Sequence, residues 1–99
     1  MLLETLGPTA SGVSVGGHVL TSLGLAPRRA FVTLSDVNGN TRTTYVDRFG
    51  HYQFDDVEAG RTYYLSVDAK GYSFSPPTQV VTPNFGVTEL NFTANAGRP

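Results

Sequence analysis

Hydrophobic and polar positions alternate with a period of two along most of the chain, the pattern of strands buried on one face. Val13, Val15, Gly17 and Val19 alternate with polar or small neighbours and predict a strand over residues 13–21. Residues 22–29 form a connection with Gly24 and Pro27 as turn formers. Ala30, Val32 and Leu34 mark one face of a second strand, residues 30–36. Asn38-Gly39 is the strongest hairpin signal, because both residues tolerate positive φ. The β-branched run at 41–46 predicts the returning strand.

The stretch from Asp47 to Gly60 organises the middle of the chain. A turn at Phe49-Gly50 leads into a short strand, residues 51–54, with Tyr52 and Phe54 facing inward. An acidic corner at Asp55-Asp56, then Val57, precedes a second turn at Ala59-Gly60. Tyr63, Leu65, Val67 and Ala69 line one face of the next strand, residues 62–69. A strand beginning at 72–75 is interrupted by Pro76-Pro77 and resumes at 79–82, which favours a sheet edge. Leu90, Phe92 and Ala94 mark the last strand, residues 87–94. No segment carries a 3.6-residue period of useful length, so the expected fold is an all-β, seven-stranded, two-sheet Greek-key-like β-sandwich over residues 13–95. Before it lies an apolar arm and hinge, residues 1–12, with Leu2, Leu3 and Leu6 ahead of Gly7-Pro8; after it comes a tail, 96–99.

Composition narrows the function classes. Ninety-nine residues make one domain with one modest core. A net charge of −1 with only 15% charged residues offers no clustered positive field, so neither a nucleic-acid nor an anionic-membrane partner is expected. The absence of cysteine excludes disulfides and thiol chemistry. No apolar run approaches the ~20 residues of a membrane span. Met1-Leu2-Leu3 is shorter than the ~7–15 apolar residues of a signal-peptide core, so a secreted form would have its signal removed or outside this chain.

Seven segments in order together resemble the carboxypeptidase regulatory-like domain, a transthyretin-like β-sandwich. They are G-H-V-L at 17–20, A-F-V-T-L at 30–34, N-G-N-T-R-T at 38–43 and F-G-H-Y-Q-F-D-D-V-E-A-G at 49–60. Y-Y-L-S-V at 63–67, Y-S-F-S-P-P at 72–77 and L-N-F-T-A at 90–94 follow. The resemblance implies two sheets, no catalytic residues, no cofactor, and an extracellular or cell-surface, mostly bacterial setting as a module of larger proteins. It carries no fixed ligand. Three positions depart from the family pattern: Arg29 and Phe31 flank Ala30 where the family tends to place glycine and a polar residue, and Tyr45 stands where it is usually small and polar. Phe31 is out of phase with Ala30, Val32 and Leu34, so it is expected to point outward. With the arm, it suggests a surface that becomes covered.

Several chemistries fail on context. Gly12-Val13-Ser14-Val15-Gly16 matches G-x-S-x-G, but the nucleophile elbow needs a strand before the serine and a helix after it. Asp36, Asn38, Asn40 and Asp47 have calcium-loop spacing, yet Thr41 replaces the required glycine and 41–46 reads as strand. Asp55, Asp56 and Glu58 could hold calcium, although such a corner more often caps a turn. His18 and His51 are the only histidines and lack zinc-ligand spacing. Lys70, the only lysine, lies in a turn rather than in the first strand, which argues against an isopeptide cross-link. Asn91-Phe92-Thr93 fits the N-glycosylation pattern but falls in a strand; surface Thr and Ser residues could accept O-linked glycans.

The expectation is therefore a non-enzymatic structural subunit or module of an extracellular surface or fibre protein. Its partner would be itself or other surface-protein domains, with Leu2, Leu3, Leu6, Phe31 and Tyr45 at the assembly interface. Two alternatives stand beside it: a carbohydrate-binding or adhesive module using Tyr45, Tyr64 and Tyr72, and an accessory domain of a secreted enzyme.

Overall fold

The computed structural model describes residues 12–96. Eight strands follow one another: β1 (Gly12–Thr21), β2 (Phe31–Asp36), β3 (Thr41–Tyr45), β4 (His51–Glu58), β5 (Tyr63–Asp68), β6 (Tyr72–Ser75), β7 (Thr78–Val81) and β8 (Phe92–Ala96). They form two four-stranded sheets, ordered β4-β1-β8-β6 and β3-β2-β5-β7, an all-β architecture of the β-sandwich kind with no helix among the described residues. All neighbours are antiparallel except β1 and β8, which run parallel with Val19 opposite Phe92.

The strand number corrects the expectation of seven. Pro76-Pro77 does not merely interrupt one edge strand. It carries the chain from the edge of one sheet (β6) to the edge of the other (β7). A proline cannot donate to a ladder, so the crossing falls where the ladder must stop.

Two boundaries also move. The last strand begins at Phe92 rather than at residue 87. Val87 makes only an isolated bridge to Val15, and the segment to Leu90 then lies across the backbone of Gly16 and Gly17. A side chain at Gly17 would collide with the Leu90 carbonyl, so glycine is required by this close approach. The strand expected at 51–54 extends to Glu58, because the acidic pair is not a corner but a bulge within the β1–β4 ladder. Val13 faces Val57 and Val15 faces Phe54, so Ser14 is opposed by two residues, and Asp56 takes a φ of 55° to accommodate the extra one. That insertion shifts the alternation by one, which is why Phe54 and Val57 are both buried.

The core follows the alternation. Val15, Val19, Tyr52, Phe54, Val57 and Phe92 from one sheet meet Val32, Leu34, Tyr63, Leu65 and Val67 from the other. Each aliphatic or aromatic side chain buried so completely contributes ~1.5–3 kcal/mol. The two buried tyrosines satisfy their hydroxyls on backbone carbonyls: Tyr52 donates to Leu90 at 2.6 Å and Tyr63 to Glu58 at 3.0 Å. Apart from these two hydroxyls the interior is apolar packing, with no other polar and no charged side chain buried among the described residues.

Candidate functional site

Strand direction gives the molecule two unlike poles. β1 begins at Gly12, opposite Glu58, and ends at Thr21, ~30 Å away at ~3.3 Å per residue. The Gly12 pole carries the β2–β3 turn, the β-bulge and the β4–β5 turn. The Thr21 pole carries the β1–β2 loop, the β3–β4 turn and the β5–β6 turn.

Two turns, one at each pole, are built alike. In Asp36-Val37-Asn38-Gly39-Asn40 the Asp36 carboxylate accepts the amides of Asn38 (2.8 Å) and Asn40 (2.9 Å). In Asp47-Arg48-Phe49-Gly50-His51 the Asp47 carboxylate accepts the amides of Phe49 (2.8 Å) and His51 (2.9 Å). The fourth residue, Gly39 or Gly50, supplies the positive φ, whereas Asn38 does not adopt one. Each carboxyl is held below its ordinary range by these bonds: Asp36 chiefly by the Asn40 side-chain amide, Asp47 chiefly by the His51 backbone N–H.

The Gly12 pole is acidic. Asp36, Asp55, Asp56 and Glu58 gather there against Arg42 and Arg61. Asp55 accepts from Gln53 Nε2 (2.7 Å) and Ser14 Oγ (3.0 Å), which lower its pKa in that order. Glu58 is engaged by Arg61 Nε at 2.9 Å. Of the carboxylates that could hold calcium, Asp55 and Glu58 are thus drawn to separate partners, and Asp55, Asp56 and Glu58 form no group of three ligating side chains among the described residues. Ser14 of the G-x-S-x-G match lies inside β1 with its hydroxyl on Asp55. The calcium-spaced set is divided, with Asp36, Asn38 and Asn40 at one pole and Asp47 at the other.

The Thr21 pole is basic and apolar. Arg28, Arg29, Arg48 and Lys70 outnumber Asp47 and Asp68 there. Arg28, Arg29 and Arg48 line one depression with Val46. Four of the most exposed large apolar side chains stand at the same pole: Leu23 (83% exposed), Leu25 (62%), Tyr45 (71%) and Phe49 (68%). Leu23 and Leu25 are held out by a tight turn whose amides donate to Thr21 Oγ1, both at 3.2 Å. Together with Ala26, Tyr72 and Ala94 they border a depression of about 390 Å³.

Phe31 lies on the outer face as expected, half-buried under Tyr45, its cross-strand partner, with ring centres 6.0 Å apart and nearly perpendicular. Tyr64 sits on the same face near the opposite end, in register with Ser35, and Tyr72 belongs to the other sheet. Tyr45, Tyr64 and Tyr72, the tyrosines of the glycan-binding alternative, are therefore not one platform. Leu2, Leu3 and Leu6 lie outside the described residues. Asn91 of the glycosylation pattern spends its side chain on structure, accepting the His18 amide at 2.8 Å.

Sequence reading missed the basic, leucine-rich character of the Thr21 pole, whose signal was Leu23 and Leu25 flanking Gly24 in a predicted loop. It also missed the meeting of His18 and His51, which are 33 positions apart in sequence yet face each other across β1 and β4. Compared with models of known protein families and with curated proteins, the chain matches none.

Proposed function

We propose that the chain is a non-enzymatic structural module of an extracellular bacterial surface or fibre protein, akin to the carboxypeptidase regulatory-like domains it resembles, and that it assembles head to tail. The observation that carries this reading is the opposition of the two poles. One is acidic; the other is basic and presents Leu23, Leu25 and Phe49 to solvent. Placing the Gly12 pole of one copy on the Thr21 pole of the next brings opposite charges together and covers the apolar side chains. The described chain begins β1 at Gly12, at the pole that this proposal places in the contact, and the Leu23–Tyr72 depression at the other pole is the surface such a contact covers. Such a heterologous contact does not close on itself and builds a filament.

Sedimentation and negative-stain electron microscopy of the intact chain test this, beside Leu23→Asp/Leu25→Asp and a form lacking residues 1–11. Both leucines are exposed, so the double variant should keep the parental melting temperature. Concentration-dependent filaments that shorten at high salt, and that disappear in both altered forms, are expected. Monodisperse single domains from the intact chain at every concentration, or unchanged filaments from the leucine variant, would defeat the proposal.

A second reading, glycan adhesion, rests on the Phe31–Tyr45 pair beside Thr33 and Thr43, whose hydroxyls approach to 3.4 Å on the same sheet face. Saturable glycan binding lost in Tyr45→Ala would favour it; an unresponsive glycan array would remove it.

A further inference from the structure

We propose that His18 and His51 form a two-histidine site for a divalent late transition-metal ion, with copper(II) held most tightly. The two residues are direct partners in the antiparallel β1–β4 ladder. The neighbouring position is the hydrogen-bonded one, since the Val19 amide donates to the Gly50 carbonyl at 2.7 Å. His18 and His51 therefore occupy a non-hydrogen-bonded pair, where facing side chains lie closest. Both point to the outer face, out of phase with the buried Val19 and Tyr52. Their ring centres are 4.2 Å apart and the ring planes are inclined by 57°.

That separation is close to what one ion shared by both rings would set. A metal ~2.0–2.1 Å from one nitrogen of each ring, seen at roughly a right angle, sets the ring centres ~4.5 Å apart, whereas a tetrahedral angle sets them ~5.2 Å apart. The observed spacing thus fits adjacent corners of a square-planar or octahedral ion better than a tetrahedral one. Copper(II) and nickel(II) prefer such corners, and copper(II) leads the affinity order for nitrogen donors. Among the described residues neither imidazole makes a hydrogen bond, so the ring nitrogens are uncommitted. The Asp47 carboxylate stands 3.9 Å from His51 Nδ1, on the side where an orienting second partner belongs, which leaves Nε2 for the metal. Asp47 is itself fixed by the turn amides of Phe49 and His51. The depression beside the rings, about 230 Å³, is rimmed by Gln53, Thr88 and Glu89, with space for water and oxygen ligands in the remaining positions. The two residues face each other across paired strands, so the backbone that carries both rings is already fixed.

The test uses the untagged full chain titrated with copper(II), nickel(II) and zinc(II) salts, read by thermal unfolding and, for copper, by electron paramagnetic resonance. His18→Ala, His51→Ala and the double variant are measured beside it; both sites are on the surface, and their metal-free melting curves serve as the folding control. One equivalent of copper should show hyperfine splitting from two imidazole nitrogens and raise the melting temperature, with smaller rises for nickel and zinc. Each single variant should lose one nitrogen from the spectrum, and the double variant should lose the melting shift. A spectrum with fewer than two imidazole nitrogens in the intact chain overturns the proposal. So does a melting shift that survives unchanged in the double variant.

Discussion

Replacing Tyr52 by phenylalanine isolates one hydrogen bond that joins the β1–β4 ladder to the segment crossing it. The Tyr52 ring is packed between Phe54 and Phe92, with ring centres 6.2 Å away in each case, and these contacts survive the change. What is lost is the hydroxyl that donates to the Leu90 carbonyl at 2.6 Å. A neutral hydrogen bond contributes ~0.5–1.5 kcal/mol net, and stranding its buried partner costs ~1–3 kcal/mol. With Tyr52 only 4% exposed, the upper part of the net range applies, about 1.5 kcal/mol. In a domain of this size ~1 kcal/mol moves the melting temperature by ~4–8 °C, so a drop of about 6–12 °C is expected. Urea unfolding should show a lower midpoint at constant slope. The pH dependence supplies an independent check. Burial pushes the Tyr52 phenol above its ordinary value, so the folded state favours the neutral form. Its contribution is complete below the unfolded value near pH 10 and is lost as pH rises toward the folded one. The parent should therefore lose stability above about pH 10 more steeply than Tyr52→Phe. A variant as stable as the parent at neutral pH, with an identical alkaline limb, would refute the bond's role in holding the crossing segment.

Gly17→Ala should destabilise by ~1–3 kcal/mol, because the added methyl meets the Leu90 backbone, which cannot rotate aside; an unchanged urea midpoint would show that the crossing segment yields freely. Acid titration should weaken the fold as pH falls below about 4, since the carboxyls of Asp36, Asp47 and Asp55 are all held below their ordinary values and their contribution vanishes on protonation. Asp47→Asn should flatten that decline in a circular-dichroism titration; a decline of the same steepness would mean the turn carboxylates are not its source.

The legible parts of the fold were those governed by local periodicity. Val32 and Leu34, or Tyr63, Leu65 and Val67, announce a buried face because alternation needs no knowledge of the partner strand. Asn38-Gly39 was readable as a hairpin, yet its construction depends on the Asp36 carboxylate two residues upstream, and the same Asp-x-x-Gly-x pattern recurs at Asp47. The bulge at Asp55-Asp56 was hidden because an inserted residue looks like the end of an alternation unless Val57 is seen to resume it. The diproline crossing was read as a break within a strand because sequence does not say which sheet the chain rejoins. The poles and the His18–His51 pair were least legible. Both arise from strand direction and register, which bring together residues that no local window contains.

The parallel pairing of β1 with β8 fixes an order of events during synthesis. β1 is an interior strand of its sheet, flanked by β4 and β8, and Val19 waits for Phe92, 73 residues later in the chain. Until β8 emerges, β1 keeps one side of its backbone unsatisfied and β6 has no partner at all. The sheet β3-β2-β5-β7 has all its strands once β7 has emerged, but until β8 follows it faces only the β4–β1 half of the opposite sheet. Full closure of the sandwich therefore waits for β8, whose contacts with β1 are among the longest in sequence.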